Sequence, residues 1–269
     1  MSVERVVMSV DAQTLRDGTL SSGCWVVRDR ADADIVVKGG ERVDLVVVDT
    51  PSLEHQRIAI KAEEQAMLNI VQVVSEGYDH AVEIAMAERA EVNMTQLVVA
   101  GAKVKTVAHL QGGGARFTLN GSFVHTDDER GDVTVDVKHE VGDCVSRTAY
   151  RGVASGKAQG RFSGLVYIAQ DAQRTDAEQL SRNVTIGDAV IHTAPQMEIY
   201  ADDVKCSHGA TVGQMDAEAI IYMRQRGISA ADAKRLQIQG FVADTILHAA
   251  IAGCGEPMME LLMDKLERL

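Results

Sequence analysis

The residues with the most chemical capacity in this 269-residue chain are a thiol and an imidazole two positions apart, Cys206 and His208. They lie in the run PQMEIYADDVKCSHGATVG, from Pro195 to Gly213, which otherwise reads as strand. On a strand, alternate side chains share a face. Cys206 and His208 therefore project together, with Ser207 turned away. A soft thiolate beside an imidazole suits an iron–sulfur site, zinc, or a cysteine nucleophile with its base. A buried, inert thiol beside a hydrogen-bonded histidine fits the same spacing. Upstream, Glu198 shares a face with Tyr200 in QMEIYAD. It could complete a mixed Cys/His/Glu ligand set, because iron accepts oxygen as well as sulfur. Its alternative is to face solvent, opposite Met197 and Ile199. Asp202 and Asp203 are read as shaping the turn into the next strand.

Other groups offer less. HTDDER, around His125, reads as an acidic turn between strands. Gly112-Gly113-Gly114 is not followed by the Lys-Ser/Thr of a phosphate loop, so the chain is not expected to hydrolyse ATP. The four cysteines, Cys24, Cys144, Cys206 and Cys254, are scattered and form no CxxC pair. That argues against a disulfide framework and against a four-cysteine zinc site. Any metal site must recruit distant residues or a second copy of the chain. With 27 Lys and Arg against 39 Asp and Glu, the net charge of −12 makes nucleic acid and anionic membranes poor partners. No apolar run reaches the length of a membrane span, and MSVERVVMSVDAQ lacks the apolar stretch of a secretion signal, so the expected address is cytoplasmic.

The elements that position these residues are mostly strands. Val82-Ile84-Met86, Val104-Thr106-Ala108, Phe117-Leu119 and Val133-Val135-Val137 each alternate with polar residues. Strand-like segments restart roughly every ten to fourteen residues between Ala81 and Val212, set off by Gly, Asp or Asn turns. A sandwich and a β-solenoid with coils of roughly 20–30 residues both fit that cadence. Before Pro51, Ile35-Val36-Val37 and Leu45-Val46-Val47-Val48 read as buried strands, so residues 1–50 form early coils or a cap. Leu53 to Met67 is consistent with a strand pair or a short helix. From Asp216 the texture turns helical. Asp216 caps AEAIIYMRQR, which Gly227 ends. Ser229, with Asp232 three residues on, opens a second helix. A third, FVADTILHAAIA, is expected after Gly240, and Pro257 opens a fourth, MMELLMDKLERL. The expected division is a β unit over 1–213 and a helical region over 214–269.

The stretch EIYADDVKCSHGATVGQMDAEAIIYMRQRGI, Glu198 to Ile228, closely resembles the C-terminal core of the SufB/SufD family. These are scaffold subunits that assemble iron–sulfur clusters with an ABC-type ATPase, SufC. Weaker similarity runs through Gly160 to Asn183 and on to about Gly240. The resemblance implies a mainly β protein, a right-handed parallel β-helix followed by a small C-terminal α-helical region. It implies that Cys206 and His208 lie near the interface between two paired scaffold subunits and handle a transient iron–sulfur cluster. It also implies that the helices from Asp216 to Ala250 dock a SufC-type ATPase, with Ile220, Tyr222, Met223, Arg224 and Arg226 at the contact. An amphipathic helix pair presenting such anchors is physically suited to that. Packing on the end of the solenoid is the alternative for these residues.

Two departures bear on the role. The SufB branch carries a cysteine where this chain has Met223 in IYMRQRGI, which agrees better with SufD or with a short scaffold type. The chain also leaves no room for the long N-terminal helical region of SufB and SufD. The expectation is a non-enzymatic scaffold, a homodimer rather than a heterodimer with a SufB/SufD paralogue, that passes clusters to apo-proteins. A purely structural ATPase-binding subunit is a competing reading. A β-helix carbohydrate-active enzyme is another, although no array of groove carboxylates supports it.

Overall fold

The computed structural model describes residues 4–15, 18–247 and 249–267. The odd-numbered strands are β1 (Gln13–Leu15), β3 (Gly23–Val27), β5 (Arg42–Val48), β7 (Met67–Val74), β9 (Glu91–Val98), β11 (Arg116–His125), β13 (Val145–Gly156), β15 (Thr175–Gly187) and β17 (Val204–Gln214). Alternating with them are β2 (Gly18–Leu20), β4 (Asp32–Val37), β6 (His55–Ala62), β8 (Asp79–Met86), β10 (Lys103–Leu110), β12 (Arg130–His139), β14 (Gln159–Ile168) and β16 (Val190–Ile199). The odd strands build one sheet and the even strands the other, each in sequence order and each pairing parallel. Every coil thus donates one strand to each sheet. The protein is a parallel β-solenoid followed by C-terminal helices.

Alternation explains the packing. In β8 and β12, every second residue (Val82, Ile84 and Met86; Val133, Val135 and Val137) is buried between the sheets. The intervening residues of the even sheet face water and carry surface ion pairs such as Lys105–Asp136. The odd sheet is different, because helices cover part of its outer face. Val46, Val48, Val71, Val73, Leu97, Val99, Val124 and Val153 all pack there against the helices. Strands buried on both faces read as continuous apolar runs rather than alternating ones, which is why Leu45-Val46-Val47-Val48 carries no polar residue. Residues before Pro51 form β1 to β5, paired within both sheets. Leu53 to Met67 yields one strand, β6, and the first residue of β7, with no helix.

Among the described residues there are also four helices: α1 (Glu4–Met8), α2 (Ala217–Gln225), α3 (Ala230–Ile246) and α4 (Gly255–Leu266). Asp216 caps α2 by accepting from the backbone N–H groups of Glu218 and Ala219. Gly227, at φ +85°, ends it in a left-handed turn that glycine adopts without penalty. Ser229 caps α3 through the Asp232 N–H. The expected break at Gly240 is absent. α3 runs through it because one helical glycine costs only about 1 kcal/mol, while Ile238, Val242 and Ile246 are buried on either side. The last helix begins at Gly255, ahead of Pro257. Proline sits there in the first turn, where its missing N–H leaves no internal bond unmade. His248, Arg268 and Leu269, parts of the expected helical runs, lie outside the described residues. A buried bond between Ser122 Oγ and Thr245 Oγ1, at 2.5 Å, pins α3 to the sheet, and between α3 and α4 the Ala250 N–H donates to Thr95 Oγ1 at 2.9 Å. Among the described residues, no helix is long and apolar enough to cross a membrane.

Candidate metal centre

Two inward-facing ladders lead to the site. The first runs Val43, Leu68, Val92, Phe117, Ser146, Ala177, Cys206, one residue from each odd strand from β5 onward. The second runs Leu45, Ile70, Met94, Leu119, Thr148, Gln179, His208. Cys206 and His208 therefore end adjacent interior ladders on β17, the terminal strand of its sheet. The second ladder turns polar in the last coils, through Thr148 and Gln179 to His208, whereas the first reads Ser146, Ala177, Cys206.

The two side chains differ in exposure. Cys206 is half-buried against Val166, Ile168, Ala172, Ala177 and Ala201, while His208 is exposed. Burial pushes the Cys206 thiol above its ordinary pKa; the nearby Asp176 carboxylate adds to this and a hydrogen bond with the Ala177 backbone opposes it. Asp176 stays ionised through a 2.7 Å hydrogen bond from Arg147, which holds its pKa down. A metal ion binding Cys206 must consequently displace a proton.

Glu198 is placed elsewhere. It pairs with Tyr167 on β14 and is exposed on the outer face of the even sheet, whereas its neighbour Met197 packs inward near Cys206. The three-residue set that spacing allowed is therefore not assembled within one chain. Among the described residues, no three His, Cys, Asp or Glu side chains converge so as to hold a metal ion. A cleft of about 630 Å³, lined by residues that include Asp49, Glu129 and Lys265, contains neither Cys206 nor His208.

The last coil also exposes apolar surface. Val190 and Ile199 on β16, Tyr200 just beyond it, and Val212 on β17 are all open to solvent, beside strands that have a neighbour on one side only. On α2 no residue is buried. Ile220 and Met223 are half-buried, whereas Tyr222, Arg224 and Arg226 are exposed. The Arg226 guanidinium stacks over the Tyr222 ring at 3.4 Å. Ile221, not singled out from the sequence, is 54 % exposed and belongs to the same surface.

Gln179 is a site residue that sequence reasoning missed. It is fully buried, paired with His208 in the register, and among the described residues neither its Oε1 nor its Nε2 has a hydrogen-bond partner. The alternation Ala177-Gln179-Ser181 could have flagged it as an inward amide.

The architecture is that of a two-sheet parallel solenoid with a thiol and an imidazole on its terminal strand and helices behind it. Residues 26–241 match the family model for the SUF system iron–sulfur cluster assembly SufBD core domain, and the chain belongs to that family. It is 37 % identical over 165 residues to the iron–sulfur cluster assembly protein SufD of Escherichia coli (strain K12), covering 60 % of this chain and 39 % of that protein. A SufBD family protein of Synechocystis sp. is 39 % identical over 120 residues, 44 % of this chain and 26 % of the relative. SufD of Bacillus subtilis (strain 168) is 32 % identical over 117 residues, 43 % and 27 % of the respective chains. The matched regions thus span less than half the length of each of these relatives.

Proposed function

We propose that the chain is a non-catalytic, cytoplasmic scaffold on which a nascent iron–sulfur cluster is held transiently at Cys206 and His208. The observation that carries this reading is the convergence of the two ladders on the open terminal strand. Ligands at the rim of a solenoid can be completed by a second chain, as ligands within the interior could not. Cys206 supplies the soft thiolate and His208 the imidazole, and each leaves coordination positions open. The exposed apolar residues on β16 and β17, beside unpaired strand edges, suit association with a second copy. Two-fold pairing would bring two Cys206–His208 sets together. A SufB/SufD paralogue would serve in the same place.

In this reading residues 1–213 form the cluster-bearing unit and 214–269 the unit that takes the partner. A SufC-type ABC ATPase docks on α2 and the start of α3, through Ile220, Tyr222, Met223, Arg224 and Arg226. ATP-driven movement of the paired scaffolds then releases the cluster to apo-proteins. α2, none of whose residues is fully buried, also suits the competing reading, a structural ATPase-binding subunit with no metal role.

Anaerobic reconstitution with iron and sulfide separates the two. Wild type should bind iron and develop visible absorption, and Cys206→Ser and His208→Ala should lose both while keeping their fold and mass. Equal loading in all three, or none in wild type, would leave the structural reading standing.

A further inference from the structure

Gln179 costs this protein stability without a visible structural return. Its side chain is wholly buried, yet both amide atoms are without a partner among the described residues. An unpaired buried amide is ordinarily replaced by an apolar residue at a gain in stability. The opposite sheet has made room for it. Gly164 on β14 lies against the amide, and a Cβ at that position would overlap Gln179 Cδ, Oε1 and Nε2. A glycine facing an unsatisfied amide is a built feature rather than loose packing.

The register gives the amide its one distinctive neighbour. Gln179 and His208 are paired residues on adjacent strands and face the same way. A histidine that offers one ring nitrogen to a metal usually donates the other N–H to a carbonyl, carboxylate or water, and that bond fixes tautomer and ring orientation. Other polar residues inside the last coils are at least partly engaged: Ser146 Oγ lies 2.8 Å from His139 Nε2, and Asn183 Nδ2 donates to Ser181 Oγ and to the Thr211 carbonyl, which leaves His139 Nδ1 and Asn183 Oδ1 without a partner among the described residues, whereas Gln179 has neither amide atom engaged.

The exposed His208 ring and the buried amide are not bonded in this structure; we propose that the ring turns inward so that Gln179 Oε1 accepts one of its N–H groups, and that this directs the other ring nitrogen toward the cargo at the solenoid rim. Gln179 is thus a positioning residue. It acts through His208 and does not touch the iron. The inference rests on the reading of His208 as a cluster ligand, and its test can fail independently of that reading.

Gln179→Met keeps the length and volume of the side chain and removes the hydrogen-bonding atoms. Nitrogen-15 NMR of the metal-free protein reads which nitrogen of neutral His208 carries the proton. Wild type should show one tautomer and Gln179→Met a mixture, with thermal stability unchanged or raised. Iron retention in a chelator competition should weaken roughly ten-fold, and Gln179→Glu, which keeps an acceptor oxygen, should restore the single tautomer. An unchanged tautomer in Gln179→Met would overturn the proposal, whatever the iron loading. A wild type that takes up no iron would refute the scaffold reading and leave the tautomer to decide this one.

Discussion

The Tyr150 hydroxyl reaches past β11 to donate to Gln96 Oε1 at 2.7 Å, and Gln96 Nε2 donates onward to Gln72 Oε1 at 2.7 Å. Gly121, which lies between Gln96 and Tyr150 in the register, makes that reach possible, because a Cβ there would overlap the Tyr150 ring. This buried polar chain runs along the solenoid axis through otherwise apolar coils. Tyr150→Phe should lower stability by about 1–3 kcal/mol, since it leaves Gln96 Oε1 buried and unpaired. Gly121→Ala forces the ring and its bond out of place and should cost at least as much. Urea unfolding of the two variants checks both values, and a neutral Gly121→Ala would contradict the packing described.

Acid should unfold the protein through its interior histidines. Burial lowers the pKa of His125, and that of His139, to about 4 from a usual 6.5. For His125, Glu129 opposes that effect without cancelling it. Below pH 6.5 the unfolded chain takes up protons that the folded chain refuses, so stability rises with pH across this window. It is therefore complete above about pH 6.5 and is lost as the pH falls toward 4, by roughly 3 kcal/mol for each histidine. Denaturant midpoints measured from pH 7 to pH 4.5 should show the slope, and His125→Phe should flatten it. A midpoint independent of pH would show that these imidazoles protonate in place.

Glu198 separates the sequence reading from the structural one. Its carboxylate faces outward on the even sheet, away from Cys206 and His208. Glu198→Gln should leave iron bound per chain and visible absorption at wild-type values, whereas Cys206→Ser should abolish both. Loss of iron in Glu198→Gln would mean that a second chain brings this carboxylate to the site.

On α2, Tyr222→Ala should weaken capture of a SufC-type ATPase by ten-fold or more, as expected of an interface aromatic. Its effect on stability should stay within about 0.5 kcal/mol, because the ring is exposed and α2 buries no residue. Titration calorimetry with the ATPase, alongside a melting curve, distinguishes this from a residue that merely holds the helix.

Much of the fold can be read directly from the chain. Period-two alternation marks Val82-Ile84-Met86 and Val133-Val135-Val137 as inward ladders, and the unbroken Leu45 to Val48 run marks a strand covered on both faces. Asp216 and Ser229 announce their helices through hydrogen bonds made within three residues. What spacing cannot convey is which sheet a strand joins. Glu198 and Cys206 lie eight positions apart, on β16 and β17, yet these strands belong to opposite sheets, so inward and outward are not transferable between them. The same limit hid Gln179. Its inward direction follows from alternation, but its lack of a partner depends on Gly164 across the core. Continuity of α3 through Gly240 likewise depends on tertiary burial that local propensity does not contain.

Cysteine accessibility tests the central claim most directly. Cys206 and Cys24 are half-buried, whereas Cys144 and Cys254 are buried. Alkylation under anaerobic conditions, mapped by mass spectrometry before and after loading with iron and sulfide, reads each thiol separately. The account predicts that Cys206 is labelled in the unloaded protein and protected in the loaded one, with Cys24 labelled equally in both. Cys206 remaining reactive while iron is bound would place the cluster elsewhere and contradict it.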